Sequence, residues 1–124
     1  MKYKNINSAL HNFAQSFLGG LNFFEDDHIY HDVYKVVGKS KDKKFEINFD
    51  NGEVSQPELI NSRIRKSIDH FQLIMPKHLK SHNIDPIAVS NIKLQIAKSE
   101  KGFDIYIFAI DNRGITHKVF VKPT

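Results

Sequence analysis

The chain has 124 residues, 40% of them hydrophobic, a formal net charge of +4 and no cysteine. The absence of cysteine excludes disulfides, thiolate chemistry and cysteine-ligated zinc. A chain of this length is enough for one domain and too short for two ordinary ones, so we expect a single globular domain over residues 1–124. Polar residues interrupt the N-terminal apolar run, and no stretch approaches the roughly 20 apolar residues that span a bilayer. We therefore expect a cytoplasmic protein without membrane contact.

The charge is divided unevenly along the chain. Residues 1–62 hold seven bases and nine acids, whereas residues 63–124 hold eleven bases and five acids. A basic half attracts anionic partners. However, only three of the eighteen basic residues are arginines, and arginine is the residue best suited to bidentate phosphate contacts. This composition argues against nucleic acid as the partner.

The first predicted element is an amphipathic helix. From Ile6 to Leu18 the apolar side chains recur with the period of a helix and fill one sector of its circumference. Asn5 is a suitable N-cap, and Gly19 and Gly20 are expected to end the helix. The apolar sector should pack against the rest of the domain, and its members are Ile6, Ala9, Leu10, Phe13, Ala14 and Phe17.

Residues 27–37 predict a second helix, because a strand would leave neither face consistently apolar whereas a helix separates apolar from polar residues. Two i,i+4 pairs on this helix bring carboxylates and imidazoles into one patch: Asp27, His28, His31 and Asp32. Such a patch suits general base work or a shared metal ion. Two histidines three residues apart do not match the H-E-x-x-H zinc motif. We expect an exposed polar face here, and a metal-dependent enzyme is the third functional hypothesis.

A strand and a further helix follow. Residues 43–49 alternate between apolar and polar, which indicates a half-buried strand. The sequence SQPE at residues 55–58 is a capping-box pattern with a proline, so a helix is expected to begin there. Pro76 should end this helix or restart it as a short one through Lys80, with Asn83 as a left-handed stop. The predicted apolar stripe consists of Ile60, Ile64, Ile68, Phe71 and Met75.

The last third of the chain predicts three strands joined by tight turns. Residues 92–98, 103–110 and 115–122 are strand-like, and turn residues separate them. The middle strand is apolar on both faces and should lie inside the sheet. The sequence therefore predicts an α+β fold in which three or four helices pack on a mainly antiparallel sheet of about four strands, in the order α-α-β-α-β-β-β.

The middle strand carries more apolar surface than a sheet covered on one side requires. If Ile105 and Ile107 face the helices, Tyr106 and Phe108 face the other way, and Phe120 on the neighbouring strand can join them. Contiguous aromatic patches on an otherwise wet face mark interaction sites. The alternatives are that a helix covers this face or that the two faces are assigned the wrong way round. The expected polar rim consists of Lys93, Gln95, Lys118 and Lys122.

The other histidines are scattered. His78 and His82 are four residues apart and are expected on a solvated helix face, where they could hold an anion with neighbouring lysines. His117 shares a strand face with Val119 and Val121, so we expect a hydrogen-bonded histidine in the core or at its boundary.

No nucleophile motif or phosphate-binding loop stands out, so we assign no catalytic residue, no metal and no cofactor. The leading hypothesis is a non-catalytic protein-interaction domain, an immunity-type or regulatory accessory protein. Its partner would be another protein chain, in the simplest version a second copy as a homodimer. Its contact residues would be Tyr106, Phe108 and Phe120. The alternative is an anion or nucleic-acid binder that uses basic residues of the second half: Arg63, Arg65, Lys66, Lys77 and Lys80.

Overall fold

The computed structural model describes residues 5–21, 44–60, 62–99 and 102–121. Within these ranges, helix α1 spans Ile6–Gly20 and helix α2 spans Ser62–Ser81. Single turns of 3-10 helix lie at Pro57–Leu59 and Pro86–Ala88. The strands are β1 (Lys44–Asn48), β2 (Val89–Ser99), β3 (Gly102–Asp111) and β4 (Thr116–Val121).

The four strands form one antiparallel sheet in the order β1-β2-β3-β4. Leu94 of β2 lies opposite Ile107 of β3, and Ile96 lies opposite Ile105. Strand β3 lies between β2 and β4, as its two apolar faces predict. The α+β class with an antiparallel sheet is therefore confirmed.

The described residues hold fewer helices than expected. They contain two α helices in the order α-β-α-β-β-β, not three or four, so the predicted element order is not matched. The helix predicted at 27–37 lies outside the described residues and stays a prediction.

Helix α1 buries the face that its periodicity predicts, but its ends differ from the prediction. All six apolar residues of the sector are at most 1% exposed. Asn5 makes no capping bond through its side chain; its Nδ2 instead donates to the carbonyl of His82, at 3.1 Å. Gly19 and Gly20 lie inside the last turn of the helix. The helix continues past Leu18 because apolar contacts extend through Leu21, which is also buried.

Helix α2 begins later and runs further than predicted. Ser55 caps no helix, because its N–H donates to the carbonyl of Glu46 (2.9 Å) and its hydroxyl accepts from the Glu46 N–H (2.8 Å). These bonds fix Ser55 to the edge of β1. Helix α2 also continues through Pro76. Buried Met75 and Leu79 hold both sides of the proline against the core, and this packing offsets the backbone hydrogen bond that proline removes.

Two asparagines in the left-handed backbone region shape the chain around β2. Asn83, with φ 61°, follows α2 as predicted. Asn91, with φ 53°, lies where the register of β2 against β3 shifts. The carboxylate of Asp50 accepts from the N–H groups of Asn91 (2.6 Å) and Ile92 (3.3 Å). The turn after β1 therefore holds the bulge of β2 in place.

The core lies between the two helices and one face of the sheet. Its centre is a cluster of phenylalanine rings in edge-to-face contact. The ring centroid of Phe13 lies 5.0 Å from that of Phe49 and 5.3 Å from that of Phe71. Phe17 contacts the same two rings at 5.1 and 5.4 Å. We call the sheet face that packs on this core the inner face and the opposite one the back face.

Candidate protein-interaction surface

The alternate residues of strand β3 lie in different surroundings. Ile105, Ile107 and Ala109 are at most 2% exposed and belong to the core. Tyr106 and Phe108 point to the back face and remain half-buried. Of the two assignments that the sequence leaves open, the structure has the one with Ile105 and Ile107 toward the helices.

Tyr106 lies at the centre of a ring cluster on the back face. It lies opposite Phe120 in the register of β3 with β4, and their ring centroids are 5.3 Å apart. The ring of Phe108 lies 6.3 Å from that of Tyr106. The Nζ of Lys118 is 4.3 Å from the Tyr106 centroid and 5.7 Å from the Phe108 centroid, within cation–π range. We call this group the aromatic patch: Tyr106, Phe108, Lys118 and Phe120.

Part of the aromatic patch is open to solvent. Phe120 is 41% exposed, although full burial of such a side chain stabilises by roughly 1.5–3 kcal/mol. Both described helices pack on the inner face, so neither α1 nor α2 covers the rings. Neither α1 nor α2 is therefore the helix that would cover this face in the alternative given above. The helix predicted at 27–37 lies outside the described ranges.

A polar row flanks the patch on the β1 side. Gln95 lies opposite Tyr106, and Lys93 lies opposite Phe108. The Nε2 of Gln95 donates to Oε1 of Glu46 at 2.9 Å, which orients both side chains. This row borders an open depression of about 290 Å³, lined by Glu46, Asn91, Lys93, Gln95, Phe108 and Ile110.

Only part of the predicted polar rim lies where it was expected beside the rings. Lys93 and Gln95 lie beside the rings as expected. Lys118 lies over Tyr106 instead of at the margin, because the two side chains share one face of neighbouring strands. Lys122 lies outside the described residues.

Two of the five predicted anion-binding residues, Arg63 and Arg65, make hydrogen bonds within the chain. The Nη2 of Arg65 donates to the carbonyl of Gly52 (2.7 Å), and its Nε donates to Oδ1 of Asp69 (3.1 Å). The Nη2 of Arg63 donates to the carbonyl of Leu21 at 3.2 Å. Both arginines thus hold α2 against other parts of the chain. The remaining three are exposed on the outer face of α2: Lys66, Lys77 and Lys80.

His78 does not lie on a solvated face, as we expected, but between the two helices. Its Nε2 lies 2.9 Å from the carbonyl oxygen of Ala9. Its ring lies 5.5 Å from that of Phe13 and 4.8 Å from that of His82. The stripe of α2 that faces α1 includes this histidine, and the periodicity of apolar residues alone does not reveal it.

Asp111, which falls in the predicted turn between residues 103–110 and 115–122, is a buried acid. Its carboxylate accepts from the N–H groups of Arg113 (2.8 Å) and Ile115 (3.2 Å) and from Nη2 of Arg113 (2.6 Å). The Nε2 of His117 lies 2.8 Å from the same carboxylate, and the Nδ1 of His117 lies 3.3 Å from Oδ1 of Asn7. The prediction for His117 as a hydrogen-bonded boundary residue is confirmed.

The neighbours of Asp111 fix its charge. The Arg113 side chain, together with the bond to His117 and two backbone N–H groups, holds the pKa of the Asp111 carboxyl well below its usual range, although burial opposes this shift. The carboxylate oxygens are taken up by these donors, so the cluster closes the β3–β4 turn and anchors it to α1 through Asn7. An Asp-x-x-Gly turn with a histidine six residues after the acid was the available signal.

Neither a metal site nor a membrane span is found in the part of the chain that the structure describes. No three histidine, aspartate or glutamate side chains come together there as metal ligands. No described helix combines the length and apolar character that crossing a bilayer requires. The patch of Asp27, His28, His31 and Asp32 lies outside the described residues and stays a hypothesis.

Comparison of the chain with protein-family models, curated proteins and solved structures found no match. The function must therefore be argued from the fold and the surface alone. Together these define a small α+β domain whose described helices lie on one face of the sheet and whose aromatic patch lies on the other.

Proposed function

We propose that the protein is a non-catalytic protein-interaction domain, an immunity-type or regulatory accessory protein, that binds another protein chain through the aromatic patch. The observation that carries the proposal is the cluster of Tyr106, Phe108 and Phe120 on the back face, with Phe120 41% exposed. Aromatic residues are enriched at the centres of protein interfaces, and contiguous apolar patches are otherwise rare on monomer surfaces.

The arrangement has the anatomy of a small contact site. The rings supply an apolar centre, and the bonded pair of Gln95 and Glu46 supplies a polar margin. Lys93 and Lys118 add positive charge on the same face. A complementary partner would present an apolar surface, with carboxylates or aromatic rings at its margin to contact the two lysines.

The test replaces the rings without touching the core. In the Tyr106→Ser/Phe108→Ser variant, we expect partner capture or self-association to weaken at least tenfold, because each ring lost from an interface centre costs about 1–2 kcal/mol. Leu73→Ser is the matched control, since Leu73 is 79% exposed on α2 and away from the patch. Binding is measured by sedimentation equilibrium and by quantitative capture from the native cell, with circular dichroism to monitor folding.

Two results would remove the proposal. Unfolding of the double-serine variant would show that the rings belong to the core of the domain. Binding equal to that of Leu73→Ser would show that the patch takes no part in recognition.

The anion-binding alternative now depends on three exposed lysines of α2, Lys66, Lys77 and Lys80, because both arginines make intramolecular bonds. It requires an affinity for polyanions that falls steeply with salt concentration. Binding that does not change with salt would dispose of it.

A further inference from the structure

The two edges of the sheet differ in how they are covered. Beside β1 the chain folds back on itself: the Asn48 N–H donates to the carbonyl of Glu53 (2.8 Å), and the Ser55 N–H donates to that of Glu46 (2.9 Å). Beside β4, in the ranges that the structure describes, no strand pairs with the outer side. An open edge presents a row of backbone donors and acceptors that can pair with another strand.

The register shows which backbone groups β4 directs outward. The Asp111 N–H donates to the carbonyl of Ile115 at 3.0 Å, and the pairing of β3 with β4 then continues without a shift. Opposed residues of an antiparallel ladder alternate between pairs that exchange hydrogen bonds and pairs that do not. Every second residue from His117 onward therefore bonds to β3. The others direct their N–H and C=O groups away from β3, and these are Thr116, Lys118 and Phe120.

We propose that β4 pairs antiparallel with β4 of a second copy, about a twofold axis at Val119. The inference places the aromatic patches of two copies side by side on one surface and therefore rests on the proposed function. In this register Lys118 of one copy lies opposite Phe120 of the other, and the reverse pair forms across the axis. Both residues direct their backbone outward, so each such pair exchanges hydrogen bonds in both directions.

The charges of β4 select this register over its neighbours. A twofold axis at Lys118 would place two ammonium groups opposite each other, which destabilises a strand pair. An axis at Phe120 would oppose Lys118 to position 122, a second lysine. With the axis at Val119, each Lys118 instead lies opposite the Phe120 ring of the other copy. The Nζ of Lys118 already lies over the Tyr106 ring at 4.3 Å, so it is placed to contact a further ring on the same face.

Pairing through β4 would also join the two aromatic patches. Phe120 is the aromatic ring of the patch on the edge strand, and it lies directly opposite Tyr106 in the register. Across the axis, the rings of both copies would form one continuous surface on the back of an extended antiparallel sheet. Both copies would contribute the same surface, as in an isologous dimer.

The test is sedimentation velocity of the full chain between about 1 and 100 µM, a range that covers weak and moderate dimers. Lys118→Pro removes an outward N–H and leaves the bonds to β3 intact, so the dissociation constant should rise about 30-fold, because the loss occurs twice per dimer. Lys118→Ala keeps the N–H and should raise the dissociation constant less than about tenfold. A monomeric wild type, or equal effects of the two substitutions, would overturn the dimer.

A second variant tests the register even if the proline prevents folding. The chain has no cysteine, so a disulfide formed by Val119→Cys must join two chains. Its Cβ atoms would be about 4.5–5.5 Å apart across the axis, close enough to react after a small adjustment. Asn12→Cys, on the exposed side of α1, is the control. Mild oxidation should give a covalent dimer of Val119→Cys alone, and equal cross-linking of both variants, or none, would refute the register.

The outcomes separate this inference from the proposed function. A monomeric wild type whose capture of a different protein falls in the Tyr106→Ser/Phe108→Ser variant would end the dimer and retain the interaction domain. A wild-type dimer that Lys118→Pro weakens and the two serines do not, with no other binding affected, would end the proposed function and retain the pairing through β4.

Discussion

The two faces of the central strand β3 carry side chains of similar hydrophobicity in different surroundings. Ile107 is completely buried beneath the helices, whereas its neighbours Tyr106 and Phe108 lie half-buried on the back face. The described helices supply apolar surface to one face only. The apolar residues of β3 that these helices do not cover are therefore available to contact another protein chain. The comparison shows why a strand with two apolar faces signals a contact surface as well as a core.

The polar groups on the two faces differ in the same way. On the inner face, the carboxylate of Asp111 is fully buried and receives donors from Arg113, Ile115 and His117. On the back face, Gln95 and Glu46 bond to each other beside an open depression. Polar groups on the inner face thus serve to satisfy one another, whereas those on the back face remain accessible to a partner.

A matched pair of truncations should give the largest difference between the faces. Phe13→Ala removes a ring at the centre of the core and should lower the free energy of unfolding by about 3–5 kcal/mol. Phe120→Ala makes the same chemical change on the back face and should lower the free energy of unfolding by about 1 kcal/mol. Urea unfolding followed by circular dichroism measures both. Equal losses would show that the two faces are buried alike.

Low pH should reduce the stability of the fold mainly through Asp111 on the inner face. Because the pKa of Asp111 is lowered in the folded state, its contribution to stability is present above the pKa of an unfolded aspartate, about 4, and is lost as the pH falls below that value. Asp111→Asn should therefore melt several degrees below wild type at pH 7, and this gap should shrink toward pH 3. Thermal unfolding at pH 7, 5 and 3 measures the gap, and a gap that stays constant or widens would count against this account of Asp111.

The smallest effect is expected on the back face. Lys118→Met keeps the aliphatic stem and removes the charge that lies over the Tyr106 ring. At this exposed site the substitution should lower the free energy of unfolding by about 0.5 kcal/mol. Lys66→Met, on the outer face of α2, is the control and should change stability less. The difference between the two unfolding free energies decides the point, and a control that loses as much as Lys118→Met would dismiss the cation–π contact.

Local patterns were sufficient to predict most of the described fold. Alternation in β1 and the strand-like runs of the last third predicted the strands, and apolar residues on both faces of β3 predicted its place inside the sheet. The 3.6-residue period likewise predicted the buried sector of α1. These signals work because burial repeats along the chain with the geometry of the element itself.

The features that the sequence did not reveal depend on contacts between distant residues. Asn5 bonds to His82 rather than capping α1, and His78 contacts the carbonyl of Ala9. Ser55 resembled a helix cap by its neighbours, yet it pairs with Glu46 beside β1. No local periodicity reports such pairs. The aromatic patch could be predicted because its residues lie on adjacent strands, whereas the burial of Asp111 could not.

The central claim is that the rings of the back face are open in the isolated chain and become covered by a partner chain, and hydroxyl-radical footprinting of the wild type tests it most directly. In dilute solution we expect rapid oxidation of Tyr106 and Phe120 and slow oxidation of Phe13 and Phe17, which are 1% exposed. With a captured partner, Tyr106 and Phe120 should both become protected, whereas pairing through β4 at high concentration should protect Phe120 on the edge strand more than Tyr106. Protection of these two rings already in the dilute monomer would contradict the claim, because the chain itself would then cover its back face.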